Sequence, residues 1–536
     1  MLLTVLLSMG IAAGCLLSGR ILFHYFQLES YQFPGYFRTV RRNLLKSLLP
    51  GFLFMLLFGI SAGLLSLVVQ GKGNNAFFCV AEILILAAGG WFIGRQCSEK
   101  HAKKAFVLTA RVKRLYIVSF IVLTLLLCLI IRMTTGYAGR YAAAILIVFP
   151  VLLPLWTALC GLLAWPVEKA ISEMYFRDAQ RILRERKDLI RIGITGSWGK
   201  TSVKFILGTI LEEKYRTLVT PASFNTPMGV TKVIRTRLEP GHRVFVAEMG
   251  ARHVGDIREM CRLVHPEIGI ITSVGPQHLD TFRTVERVAG TKYELIEALP
   301  EDGEAFFADD DGICRKLYDK TKNKKHLTGL DREKDEVWAE EIAYTQRGTT
   351  FVLCTEEGRY PCHTQLLGEL NIRNILLCAS VAISLGLTKE QIVRGISRIQ
   401  PVEHRLQLTS HPDGLSVIDD AFNSNIKGAR QAFQVLKQFP GKRIIVTPGM
   451  VELGSREYEL NREFGEAMAD CCDIAILVGK KRCEPIAEGL KNGGFPVDSI
   501  MMVSSLNEAA ELLRNISGAG DTVLFENDLP DNYTEG

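Results

Sequence analysis

Ten consecutive residues, Gly193-Ile194-Thr195-Gly196-Ser197-Trp198-Gly199-Lys200-Thr201-Ser202, carry the densest chemistry in the chain. A glycine-rich turn lets backbone N–H groups wrap an anion, and a helix that starts at its end adds a positive dipole. Lys200 can neutralise the β and γ oxygens of a nucleoside triphosphate, and the Thr201 hydroxyl can ligate Mg2+. The flanks suit that chemistry: residues 189–194 (Leu-Ile-Arg-Ile-Gly-Ile) read as a buried strand, and an amphipathic pattern runs on through Leu211. Val244-Phe245-Val246-Ala247-Glu248-Met249-Gly250 reads as a strand ending in a carboxylate. Ile268 to Gly275 reads as another, leading to Gln277-His278-Leu279-Asp280. In a parallel α/β sheet the strand C-termini share one edge, so Glu248 and His278 would meet the glycine loop there. Taken singly, each also reads as structural, a Glu capping a loop or a His satisfied by a carbonyl.

The elements that must position these groups occupy the last two thirds of a 536-residue chain, long enough for three or four domains. Hydrophobic residues make up 48% and charged residues 22%, which excludes disorder and collagen-like repeats. Thirteen cysteines without a CxxC pair point to reduced thiols rather than a zinc ribbon or disulfide framework. A net charge of +6 is too mild to call for nucleic acid.

Most of the apolar weight precedes residue 166. Apolar runs near 2–23, 46–70, 76–94, 116–131 and 142–165 approach the ~20 residues that cross a hydrocarbon core, so the spacing predicts about five membrane helices over 1–165. Basic residues crowd the loops after the first and third runs (Arg38, Arg41, Arg42, Lys46; Arg95, Lys100, Lys103, Lys104, Arg111, Lys113, Arg114). That asymmetry places the N-terminus outside and residues 166–536 in the cytoplasm. No charged residue is expected in the middle of a span. Residues 166–188, opening on Pro166, predict a juxtamembrane linker helix.

The motifs as a set carry a family resemblance. The glycine loop, Asn225-Thr226-Pro227-Met228-Gly229, Glu248-Met249-Gly250-Ala251 and Val274-Gly275-Pro276-Gln277-His278-Leu279 resemble the Mur ligases, most closely their D-alanyl-D-alanine-adding branch. Ala289-Gly290-Thr291-Lys292-Tyr293-Glu294 resembles the segment that bears a carbamoylated lysine. Gly368-Glu369-Leu370-Asn371-Ile372-Arg373-Asn374, Pro401 to Arg405, Ile418 to Asn425 and Gly449 to Gly454 follow in the family's order, so the likeness covers about 190–525.

The resemblance implies an α/β protein with a P-loop ATPase central domain over 189–400 and a Rossmann-like C-terminal domain over 401–536. It implies an ATP-dependent ligase that activates a carboxylate as acyl phosphate for attack by an amine, releasing ADP and phosphate. ATP and Mg2+ are the implied cofactors. Thr195, Gly196, Ser197, Gly199, Lys200, Thr201 and Ser202 would cradle the nucleotide. Thr201 and Glu248 would hold one Mg2+, and His278 with a carbamoylated Lys292 a second. Asn371 and Asn374 would contact the adenine region, Arg405 the phosphates and Asp420 the ribose, with Asn423 and Asn425 shaping that loop.

Several departures matter. Membrane runs stand where the family keeps a domain for the UDP part of its substrate, which points to a cell-wall precursor met at the membrane, such as a lipid-linked one. Leu370 replaces a His, Gly449 replaces an acid, and the place of the branch's Lys-Gly-Ser element reads Phe525-Glu526-Asn527-Asp528-Leu529-Pro530-Asp531-Asn532-Tyr533. An acidic segment repels a dipeptide carboxylate and suits a cationic or neutral amine better. The amine acceptor is therefore expected to be an amino acid or dipeptide of open identity. The alternatives are a poly-γ-glutamate-type ligase and a non-catalytic ATP-binding membrane scaffold. A two-metal residue set disfavours the scaffold. Residues 301–366 read as a charged, loop-rich insert.

Overall fold

A computed structural model describes residues 2–69, 75–98, 105–133, 149–221, 224–309, 312–332, 335–345, 348–401, 404, 406–410, 414–421, 426–451, 453–479 and 482–528. Two compact units divide the chain near residue 173.

The first unit is helical. Among the described residues, three helices are long and apolar enough to cross a membrane: Leu44–Leu64, Cys79–Gln96 and Ala110–Arg132. A fourth span arises if Thr4–Ser18 and Arg20–Leu28, bent by 52° from each other, count as one. Of the five expected spans, three or four thus stand among the described residues. Among the described residues the fifth run holds a short 3-10 turn, Phe149–Leu152, and the start of the helix Leu153–Glu185, while 142–148 lie outside them. That long helix continues through Pro166, so the proline does not open a separate linker helix.

Glycines let the helices Leu2–Ser18 and Asn75–Gln96 touch backbone to backbone: a Cβ on Gly90 would meet the Gly14 carbonyl oxygen at 2.1 Å. One expectation fails in this unit. Glu82 lies within the run 76–94, buried, and accepts a hydrogen bond from Ser61 Oγ at 2.6 Å. A single acid barely lowers the mean hydropathy of a long window, and a hydroxyl from the neighbouring helix satisfies it.

The second unit holds two sheets. The larger has the order β2-β3-β1-β4-β5-β6-β7-β8-β9. Its strands are β1 (Ile190–Thr195), β2 (Thr217–Val219), β3 (Val244–Glu248), β4 (Ile268–Ile271), β5 (Glu304–Ala308), β6 (Lys324–Thr328), β7 (Val337–Thr345), β8 (Gly348–Thr355) and β9 (Gly358–Thr364). Pairing is parallel from β2 across to β7 and antiparallel through β8 and β9. The 301–366 stretch is therefore no loop-rich insert. It supplies five strands and the helix Ile313–Lys320, and its alternation was hidden by charged residues on the open face.

Strand alternation sorts the core. Val244 and Val246 face a cluster that includes Val203, Leu207 and Leu211 of the helix Lys200–Leu211 and Ile375 of the helix Glu369–Ser384. Phe245 and Ala247 face the opposite cluster, with Ile257, Leu263 and Leu295. Period-two pleating therefore turns Glu248, of the same parity as 244 and 246, toward the helix that follows the glycine loop.

The smaller sheet has the order β10-β11-β15-β12-β13-β14, with only β10 antiparallel. Its strands are β10 (Gln407–Ser410), β11 (Ser416–Asp420), β12 (Arg443–Thr447), β13 (Ile474–Val478), β14 (Ile500–Val503) and β15 (Thr522–Glu526). Gly449 follows β12 at φ +78°, and a Cβ there would strike Ile486 Cδ1 at 2.8 Å and Asn461 Oδ1 at 2.9 Å. The glycine that replaces the expected acid is required by this turn.

Candidate active site

The chain leaves β1 at the point where the sheet order splits, with β3 on one side and β4 on the other. Such a switch point opens a crevice at the strand C-termini, and the glycine loop sits there. Gly199 takes φ +80° and heads the helix Lys200–Leu211, a conformation that favours glycine over any residue with a Cβ. A Cβ on Gly196 would meet Thr272 Oγ1 at 2.0 Å. The segment after β4 braces the loop: Ser197 N–H donates to the Ser273 carbonyl at 2.9 Å, Trp198 N–H to Ser273 Oγ at 2.9 Å, and Gly275 N–H to Ser197 Oγ at 2.9 Å. Thr195 is buried at the end of β1, its hydroxyl donating to the Met249 carbonyl at 3.1 Å. Lys200 Nζ donates to the carbonyls of Gly196 (2.6 Å) and Ser197 (3.1 Å), which puts its charge over the loop, and Ser202 lies in the first helical turn.

Glu248 meets this loop as expected. Thr201 Oγ1 lies 3.2 and 3.1 Å from its two oxygens, and Asn225 Nδ2 donates to Oε1 at 3.1 Å. Sequence reasoning missed Lys204. It is fully buried one helical turn beyond Lys200, and its Nζ lies 2.9 Å from Glu248 Oε2. The available signal was a lysine in the same helical stripe as Leu207 and Leu211. Burial alone raises the Glu248 carboxyl's proton affinity. The charges of Lys204 and Lys200 and the hydrogen bonds from Lys204 and Asn225 outweigh it and hold the group below its ordinary value.

Lys292 lies on the helix Val285–Glu297 and is 2% exposed. Burial first, and the charge of Lys200 second, push its amine well below the usual lysine range. His278 adopts a left-handed conformation (φ +51°) at the head of the short helix Leu279–Phe282. Among the described residues no three His, Cys, Asp or Glu side chains gather as a metal cage. Mg2+ needs none, since it binds through one or two carboxylates plus hydroxyls and substrate phosphates. The Glu248 carboxylate and Thr201 hydroxyl are hard oxygen donors that fit it.

Asn374 is buried with its Oδ1 3.1 Å from where a Gly199 Cβ would stand, and its Nδ2 has no hydrogen-bond partner among the described residues. A buried donor at the phosphate loop suits a nucleotide oxygen. Asn374→Ala should weaken ADP binding by about 5- to 100-fold, the equivalent of ~1–3 kcal/mol for one buried donor. Calorimetric titration checks this, and unchanged affinity would remove Asn374 from the site. Asn371 Nδ2 donates to the Leu367 carbonyl at 2.9 Å. Asp420 ends β11 in the smaller sheet, with Oδ1 accepting from Leu406 N–H at 3.0 Å. Arg405, Asn423 and Asn425 lie outside the described residues.

A braced phosphate loop beside a buried carboxylate, on a largely parallel sheet followed by a second α/β sheet, defines a nucleotide-using α/β enzyme. The Mur ligase middle domain matches residues 194–382, and the Mur ligase glutamate ligase domain matches 404–526. The UDP-N-acetylmuramoyl-tripeptide–D-alanyl-D-alanine ligase of Escherichia coli is 30% identical over 329 residues, covering 60% of this chain and 73% of that one. The crystal structure of MurF from Acinetobacter baumannii superposes with TM-score 0.61 at 26% identity, over 67% of this chain and 77% of its own. MurF ligase from Thermotoga maritima in complex with ADP gives TM-score 0.60 at 25% identity, over 67% and 80%. The chain belongs to the Mur ligase family, whose fold of mixed α/β sheets it shares. It is an ATP-dependent, ADP-forming ligase that uses Mg2+.

Proposed function

We propose that the chain is a membrane-anchored amide ligase of peptidoglycan precursor synthesis. It activates a carboxylate of the precursor as an acyl phosphate, and the amine of an amino acid or dipeptide displaces the phosphate. The observation that carries the reading is the contact of Thr201 with the buried Glu248 at the glycine loop, in one chain with helices apolar enough to span a bilayer. In the reaction, the precursor carboxylate oxygen attacks the γ-phosphorus and ADP leaves. The amine nitrogen then attacks the acyl carbon, the carbon–oxygen bond to phosphate breaks, and the nitrogen gives up a proton. Bound Mg2+ screens the repulsion between the carboxylate and the triphosphate.

The residues divide those tasks. Loop N–H groups and Lys200 hold the phosphates, Thr201 and Glu248 serve the metal, and Asn374 anchors the nucleotide beside Gly199. His278 and a carbamoylated Lys292 would hold a second metal, which would add to the screening of negative charge. Residues 189–400 form the nucleotide domain, and 401–536 close over it to exclude water from the acyl phosphate. The helices before residue 166 anchor this catalytic part on the cytoplasmic side with the N-terminus outside, and so present it to a lipid-linked precursor. The acceptor end favours a neutral or cationic amine, because Glu526, 1% exposed, ends β15 in register with Asp420.

Phosphate release by the detergent-solubilised protein with ATP and Mg2+ tests this, with amino acids and dipeptides as acceptors and UDP-linked or undecaprenyl-linked muropeptide as donor. Release that requires the lipid-linked donor is the expected result. Release with the soluble donor and D-Ala-D-Ala would make the enzyme an anchored form of its soluble relatives. No release with any pair would leave a scaffold and end the ligase reading.

A further inference from the structure

We propose that Lys204 is a resident counter-ion of the metal site, a fixed cation that pairs with Glu248, holds it toward Thr201 without metal and thereby weakens the hold on Mg2+. This rests on the reading that Glu248 and Thr201 bind Mg2+.

The two side chains are 0% and 2% exposed, and Nζ stands 2.9 Å from Oε2. The other oxygen, Oε1, accepts from Asn225 Nδ2 at 3.1 Å, and Thr201 Oγ1 sits 3.1–3.2 Å from both. The backbone is held as well: Glu248 N–H donates to Thr220 Oγ1 at 3.1 Å. A carboxylate so enclosed is costly unless a cation stays with it.

Lys200 cannot fill that role alone, since its own ammonium is bonded to the loop carbonyls of Gly196 and Ser197. Two lysines one helical turn apart therefore divide the charges, Lys200 over the phosphate loop and Lys204 on the metal carboxylate. Lys204 and Mg2+ then share one anion. Their mutual repulsion makes the binding of one oppose the other, and linkage makes that opposition reciprocal.

The test is thermal unfolding of the full-length protein in detergent, in EDTA and across a titration of Mg2+ alone. Mn2+ titration followed by electron paramagnetic resonance gives a direct affinity. Lys204→Met is expected to melt lower in EDTA and to recover a larger part of that loss as Mg2+ is added than wild type gains. Its Mn2+ affinity should rise by about 5- to 100-fold, the usual span of coupling between two linked ligands. The double variant Lys204→Met/Glu248→Gln should regain most of the lost melting temperature and show no metal response. If Lys204→Met is not recovered folded, Lys204→Gln, which keeps a donor but no charge, supplies the same comparison.

Equal Mg2+ shifts in wild type and variant, or a weaker Mn2+ affinity in the variant, overturn the counter-ion role and leave a packing lysine. A metal that shifts neither protein overturns the Mg2+ assignment of Glu248 and this inference with it.

Discussion

Replacing Lys200 with alanine is expected to cut ATP turnover by about 10²–10³-fold or more, the loss typical of one preorganised donor facing developing negative charge. The ammonium is held over the loop by the carbonyls of Gly196 and Ser197 at 2.6 and 3.1 Å, so it stands in place before any nucleotide arrives. Its loss removes two hydrogen bonds, each worth about 0.5–1.5 kcal/mol net. Where Lys292 is not carbamoylated, it also relieves repulsion on that buried amine. Those effects oppose one another, and the melting temperature should move little while turnover collapses. Phosphate release measured beside a thermal melt separates the two. A Lys200→Ala protein that still turns over ATP at the parental rate would show that the loop does not bind the reacting phosphates.

The second large effect belongs to Lys292. An ammonium here would oppose a cation, whereas a carbamate would ligate one. Burial and the neighbouring Lys200 charge already depress the amine, so its neutral form persists at a pH where an exposed lysine is protonated. A neutral amine is the form that adds to CO2: the nitrogen lone pair bonds to carbon, one oxygen takes the displaced electron pair, and the nitrogen sheds a proton. Lys292→Ala is therefore expected to lose about 10²-fold or more in amide formation, in the range for a lost electrostatic stabiliser. Formate or acetate should restore part of it by seating a carboxylate in the space the side chain leaves. Lys292→Arg remains a cation and should gain nothing from either acid. A carbon-13 signal from labelled bicarbonate, present in wild type and missing in both variants, gives an independent readout. Full activity in Lys292→Ala would end the carbamate assignment.

Much of the site was legible because its signals are local. The glycine loop, the strand before it and the helix after it are written in neighbouring residues, and the turn chemistry of Gly196 and Gly199 follows from their lack of a Cβ. The position of Glu248 was also open to reading, since an acid closing an apolar strand must lie at the sheet edge that gathers ligands. Apolar length marked the candidate membrane helices, but length alone could not tell that the first bends by 52° or that residues from Leu153 belong to a helix that ends at Glu185.

Other features depended on packing between distant segments. Glu82 could be read as an interruption of an apolar run, yet only the approach of Ser61 from another helix shows how it is satisfied. β7 to β9 were not legible because their alternation has meaning only once the sheet edge they extend is known. Gly449 looked like the loss of an acid until Ile486 and Asn461 were seen to close on it.

The chain by itself determined the order of its elements, the phosphate loop, the carboxylate that faces it and an apolar N-terminal part, because periodicity and glycine turns act over a few residues. Only the tertiary structure decided that Lys204 reaches Glu248, 44 positions away, and that Asn374 stands against Gly199. Those partners are set by sheet register and by which helix covers which face. Such relations arise when the hydrophobic core closes, and no stretch of sequence contains them.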